Sequence, residues 1–123
     1  MAASVDAASL PVTSQPSDPL ATAVAPDDAL TQANQALALY QMGEVDHSLQ
    51  ALKQIARHYP RFPDVRAALA AALWAQGKQG EAESHWVAAV GMDQRYQDVT
   101  WVSQQRRWPP AMVTALAQFL QSQ

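Results

Sequence analysis

The sequence predicts an all-α fold built from helix–turn–helix repeats, and three observations carry that expectation. Gly43 and Gly77 stand 34 residues apart inside the same phrase. Leu39-Tyr40-Gln41-Met42-Gly43-Glu44-Val45 is followed by Ser48, Leu52 and Ile55, and Leu73-Trp74-Ala75-Gln76-Gly77-Lys78-Gln79 by Ala82, Trp86 and Ala89. Apolar residues around both glycines recur at helical spacing, which places them on one face of each segment. Composition agrees: 49% hydrophobic and 15% charged residues suit a folded helical protein and argue against wholesale disorder.

The elements follow in order. Residues 1–26 hold Pro11, Pro16, Pro19 and Pro26 among Ala, Ser, Thr and Val. Prolines remove backbone donors and disfavour helix in the residue before them, so this segment reads as a disordered, extended N-terminal arm, a tether. A first helix begins near Asp27 or Asp28, whose carboxylates suit the positive helix end. It runs through Leu30, Ala33, Leu37 and Tyr40 to Met42, with Ala36 as a small contact site, and Gly43 stops it. A second helix spans about Val45 to His58, with Leu49, Leu52, Ile55 and Ala56 on one face. Pro60 and Pro63 bracket a turn; Pro63 or Asp64 opens a third helix with Leu69, Ala70 and Leu73 inward, ended by Gly77. A fourth runs about Gln79 to Val90, with Ala82, Trp86 and Ala89 inward and Gly91 closing it.

The last third differs. Gln94 to Trp108 reads as one short helix containing Tyr96, Val99, Trp101 and Val102. Pro109-Pro110 must break it, and Pro110 suits the first turn of a final helix to about Leu120. Met112, Val113, Leu116, Phe119 and Leu120 form its apolar stripe, which suits the cap that a stacked array needs at its end. The expected organisation is an arm over 1–26, two repeats over 27–94 (about 27–60 and 63–94), and a helical C-terminal cap over 95–123.

Over residues 29–94 the chain resembles the tetratricopeptide repeat family, whose units are 34-residue helix–turn–helix pairs. Leu69, Ala70, Leu73, Gly77, Ala82, Trp86 and Ala89 match the family's signature positions in the second repeat. Ala36, Leu39, Gly43, Ser48, Leu52, Ile55 and Pro60 match them in the first. Departures are Gln32 and Arg66 at the usual early Trp, Gln35 at the next site, and Gln94 at the closing Pro. The tail, with Arg95-Tyr96-Gln97-Asp98, Trp101-Val102 and Arg106-Arg107-Trp108-Pro109-Pro110, is faintly similar to the closing segment of small tetratricopeptide proteins of cyanobacteria and chloroplasts. That likeness implies assembly or maintenance of photosynthetic membrane complexes at the thylakoid.

The resemblance also implies a concave groove lined by the first helix of each pair. The groove positions translate to Ala33, Leu37, Tyr40 and Gln41, then Asp64, Ala67, Ala71, Trp74 and Ala75. Such a groove is small-residue and apolar with Tyr40 and Trp74 as anchors, suited to a partner protein's amphipathic helix or extended peptide. The alternative is that both aromatics simply pack against neighbouring helices. The Lys and Asn set with which family members clamp chaperone C-termini is missing, and Arg66 alone does not replace it. In the tail, Trp101, Arg106, Arg107 and Trp108 could dock an acidic segment or anionic lipid headgroups. Alternatively, the arginines simply favour a helix C-terminus and Trp108 packs.

Catalysis is not expected. The four glycines are spread singly, so there is no phosphate-cradling loop, and Asp27-Asp28 sit where a helix needs capping. Cysteine is absent, which removes disulfides and thiolate metal sites. His47, His58 and His85 lack further ligands at metal-site spacing; Glu81 and His85, four residues apart, suit a surface ion pair. No cofactor or metal is expected. Net charge is −3, with no Lys or Arg in residues 1–52 and all eight basic residues in 53–123. This asymmetry reads either as an acidic arm beside a mildly basic repeat surface or as a C-terminal part that prefers an acidic partner surface, while one Arg doublet on an acidic chain is no nucleic-acid patch.

No run of 18 apolar residues occurs, so no membrane span is expected. The N-terminus lacks the basic start and apolar centre of a signal peptide, although Met1-Ala2-Ala3-Ser4 also fits an initiator Met joined to a trimmed mature end. The expected location is soluble: cytoplasmic, or thylakoid-associated or lumenal if the chain was trimmed. Three functional readings follow: a non-enzymatic adaptor or assembly factor, a permanent structural subunit of a larger complex, and a peripheral module contacting anionic lipid through Arg106 and Arg107.

Overall fold

Residues 27–123 are described in a computed structural model, and among them the chain is all-helical, without strands. The expected arm over 1–26 lies outside the described residues. Six α-helices follow one another: α1 (Asp27–Gln41), α2 (Val45–His58), α3 (Pro63–Ala75), α4 (Gln79–Met92), α5 (Val99–Gln105) and α6 (Pro110–Gln121), with a 3-10 turn at Gln94–Gln97.

The first four helices form two pairs, α1 on α2 and α3 on α4, and the pairs share one local geometry. Gln41 and Ala75 end the first helices and Val45 and Gln79 begin the second, each 34 residues apart. The turns match bond for bond. The Glu44 amide donates to Leu39 O and the Gly43 amide to Tyr40 O; Lys78 donates to Leu73 O and Gly77 to Trp74 O. This is the Schellman closure, which satisfies orphan carbonyls by placing one residue in the left-handed region. Gly43 has φ 86° and Gly77 φ 83°. Between α1 and α2, the buried Ser48 hydroxyl donates to Ala36 O at 2.7 Å, fixing how closely the two helices approach.

Helix α3 is the centre. From Ala67 to Leu73 every residue is fully buried. The sequence marks an inward stripe of Leu69, Ala70 and Leu73; the structure buries the opposite face too, because α6 folds back onto α3 and α1. A helix apolar all round belongs inside a protein, and the alanines of α3 let neighbours approach on every side. Met112, Leu116 and Phe119 of α6 are fully buried.

Two boundaries differ from the sequence reading. Helix α4 continues through Gly91 to Met92, ending where Asp93 turns extended at φ −155°. The segment expected as one helix over Gln94–Trp108 is instead a 3-10 turn and α5. The cause is a pair of aspartates: Asp93 accepts from the Arg95 amide and Asp98 from the Trp101 amide, so each starts its own short helix.

The glycines yield a prediction with two signs. A Cβ at Gly43 or Gly77 meets nothing within 4 Å, so only backbone strain opposes it. Gly43→Ala and Gly77→Ala should each destabilise by about 1 kcal/mol. Gly91→Ala, inside α4 and equally open, should stabilise by about 0.5 kcal/mol. Urea unfolding followed by circular dichroism measures all three.

Candidate functional site

Asp64 sits in the first turn of α3, after Pro63, and is 2% exposed. A buried carboxylate needs donors. Its Oδ1 accepts from the Tyr96 hydroxyl at 2.6 Å, Arg106 Nε at 3.0 Å and Trp108 Nε1 at 3.1 Å. All three come from the tail, and the positive end of α3 adds its field. Burial pushes the Tyr96 hydroxyl far above its ordinary value, and the Asp64 charge and hydrogen bond raise it further. Burial by itself would lower the Arg106 guanidinium, but Asp64 outweighs that and raises it. Around this hub Tyr96 meets Trp101 edge-on, with ring centroids 5.1 Å apart, and the Arg95 guanidinium lies 4.6 Å over the Trp101 ring.

The tail cluster is thereby divided. Arg106 and Trp108 face inward on the same oxygen, and Trp101 is half-buried against Tyr96. Arg107 lies between two anchored neighbours, at φ 56°, and its side chain is exposed. A left-handed arginine costs about 1 kcal/mol, and the two flanking contacts to Asp64 hold it there.

Part of the expected groove is covered by the chain itself, while Leu37 and Gln41 face an open cleft. Ala67 and Ala71 are fully buried, Leu37 is buried, and Tyr40 is half-buried against the core. The Gln41 side-chain oxygen accepts from the Ala111 amide at 2.7 Å, which caps the start of α6. Trp74 is half-buried, and Phe119 of α6 lies edge-on to both Trp74 and Trp86, at centroid distances of 6.2 and 5.2 Å. Tyr40 and Trp74 each pack one side on neighbouring helices and keep part of their surface exposed.

What stays open is a cleft of about 580 Å³ between α1 and the tail. Its α1 wall is Leu30, Asn34, Leu37, Ala38, Gln41 and Met42; Gln105, Arg106, Arg107 and Pro109 face them. Leu30 is 37% exposed and Met42 68% exposed, and among the described residues no carboxylate pairs with Arg107. Leu30 and Met42 belong to the predicted first helix, but their association with Arg107 depends on α6 returning to α1. Spacing along the chain carries no signal for that return.

Glu81 and His85, expected to pair, take other partners. His85 Nδ1 faces Arg66 Nη1 at 3.1 Å, and Glu81 reaches Lys53 at 3.7 Å. Among the described residues no three His, Cys, Asp or Glu side chains group as metal ligands, and no helix is long and apolar enough to cross a membrane. A scan against family models, a search of curated proteins and a search of solved structures each find no match to this chain.

Removing the hub carboxylate should be costly. Asp64→Ala strands a guanidinium, a phenol and an indole N–H, and should lower unfolding stability by about 3 kcal/mol in urea titration. The phenol also sets an alkaline limit. The folded state holds the Tyr96 proton more tightly than the unfolded chain, whose phenol titrates near 10.0. Its contribution is therefore intact below about pH 10 and declines as pH rises beyond it. Tyr96→Phe should flatten that loss, measured as the change in urea midpoint between neutral and alkaline pH.

Proposed function

We propose that this chain is a non-enzymatic, tetratricopeptide-type protein-interaction module, an adaptor or assembly factor. The 34-residue recurrence of helix ends, helix starts and Schellman turns supports the repeat reading. It docks a short amphipathic segment of a partner protein in the cleft between α1 and the tail. The observation carrying this choice is the pairing of exposed Leu30 and Met42 with an exposed Arg107, without a carboxylate partner among the described residues, across one cleft. Apolar side chains beside a cation favour a segment with apolar anchors and an acidic residue. Of the groove first suggested by the repeat pattern, α6 covers the Ala67 and Ala71 side, and Leu37 and Gln41 belong to this cleft.

Arg106 is committed to Asp64, which weakens the reading of the Arg106-Arg107 doublet as an anionic-lipid contact. Assembly of photosynthetic membrane complexes as the setting rests on the tail's resemblance alone.

The test places a photoreactive amino acid at Met42 or, as control, at Val87 on the exposed face of α4. In native extract, one partner should crosslink from position 42 and not from 87. Arg107→Glu should reduce its capture about tenfold with helical circular dichroism unchanged. Equal crosslinking from both positions, or capture indifferent to Arg107→Glu, overturns the assignment.

A further inference from the structure

A second concavity lies away from this cleft, where α2, α3 and α4 meet. Its volume is about 380 Å³, within the range of small-molecule sites, and it is lined by Lys53, Ala56, Arg57, Pro60, Arg66, Glu81 and His85. Three cations and one carboxylate share it. Lys53 and Arg57 are one helical turn apart on α2, a like-charge pair that is unfavourable unless something compensates it.

Arg66 is the informative member. The residue is half-buried, and it has no carboxylate partner among the described residues. Its Nε approaches Pro60 O at 3.4 Å and its Nη1 faces His85 Nδ1 at 3.1 Å. Arginine only donates, so His85 Nδ1 accepts and the imidazole proton sits on Nε2. Burial, then the Arg66 charge, lowers the His85 pKa, which keeps that ring neutral. Glu81 is drawn to Lys53 at 3.7 Å and leaves the positive charges in excess. Three helices thus converge guanidinium, ammonium and imidazole donors on one cavity, with Glu81 the sole carboxylate lining it among the described residues.

We propose that this cavity is a binding site for a phosphomonoester dianion, held by Arg66 with Lys53, Arg57 and the Nε2–H of His85. A forked guanidinium and two further cations match a doubly charged tetrahedral group better than a single carboxylate. The cavity exceeds the size of one phosphate, leaving room for the group that carries it. Glu81 competes for Lys53 and sets an upper limit on affinity.

The experiment is an NMR titration of the full chain with inorganic phosphate, with chloride at matched ionic strength as control. Saturable shifts should appear at the Arg66 Nε–H, the His85 ring and the amides around Lys53 and Arg57. Arg66→Gln should weaken phosphate binding about tenfold, and so should the double variant Lys53→Gln with Arg57→Gln, whose side chains lie nearer the surface. Glu81→Gln should strengthen it several-fold. Shifts that chloride reproduces, or that survive both the Arg66 and the double variant, overturn the site; so does unchanged or weakened binding in Glu81→Gln. Vesicles containing phosphatidic acid then separate the sources. Sedimentation that inorganic phosphate competes away assigns a lipid headgroup, and phosphate shifts without sedimentation assign a soluble phosphomonoester.

Discussion

One oxygen atom of Asp64 receives a phenol, a guanidinium and an indole N–H from three separate points of the tail. A carboxylate in that position would be unstable without them, and the tail would lack a fixed course without it. Everything beyond α4 depends on this bond set. It orients the 3-10 turn, turns the chain at Arg106–Trp108, and delivers Pro109-Pro110 to the place where α6 must begin. Gln41 then meets the first turn of α6, and Phe119 enters between Trp74 and Trp86. Local charge pairing and long-range apolar packing therefore support the same arrangement, the consistency expected of a sequence that specifies one structure.

The two helix pairs were legible because their information is local. Left-handed glycines, a proline at the start of α3 and apolar spacing all act within a few residues. The final helix was legible for the same reason, from Pro110 and the Met112-to-Phe119 stripe. Its destination was not. That it lies on α3 and also reaches α1 depends on which apolar surface is nearest once the chain has turned. That turn is set by Asp64, 42 residues before Arg106. Asp64 stood among the groove positions implied by the family likeness, yet nothing in its surroundings along the chain announces three distant donors.

The Arg106-Arg107-Trp108 cluster shows the same limit at smaller scale. Adjacent residues read as one basic, aromatic patch, but the backbone sends alternate members to opposite sides. Two become internal structure and one becomes surface. Arg66 reads in reverse: in sequence it is a lone departure from a repeat signature, and in space it joins Lys53, Arg57 and His85 from two other helices. Clusters that matter chemically are assembled by packing, and their charge balance is visible only after it.

The covering of α3 by α6 has a consequence for any peptide that would use the surface beneath it. The helix is tethered to its own site through a short proline-bearing link, so it competes at an effective concentration on the millimolar scale. A peptide arriving from solution would have to exceed that, replace the Phe119 contacts between two tryptophans, and leave the α6 amide uncapped by Gln41. Intramolecular occupancy of this kind would set an affinity threshold for any helix arriving from solution, whereas the cleft beside α1 lies open with the core undisturbed.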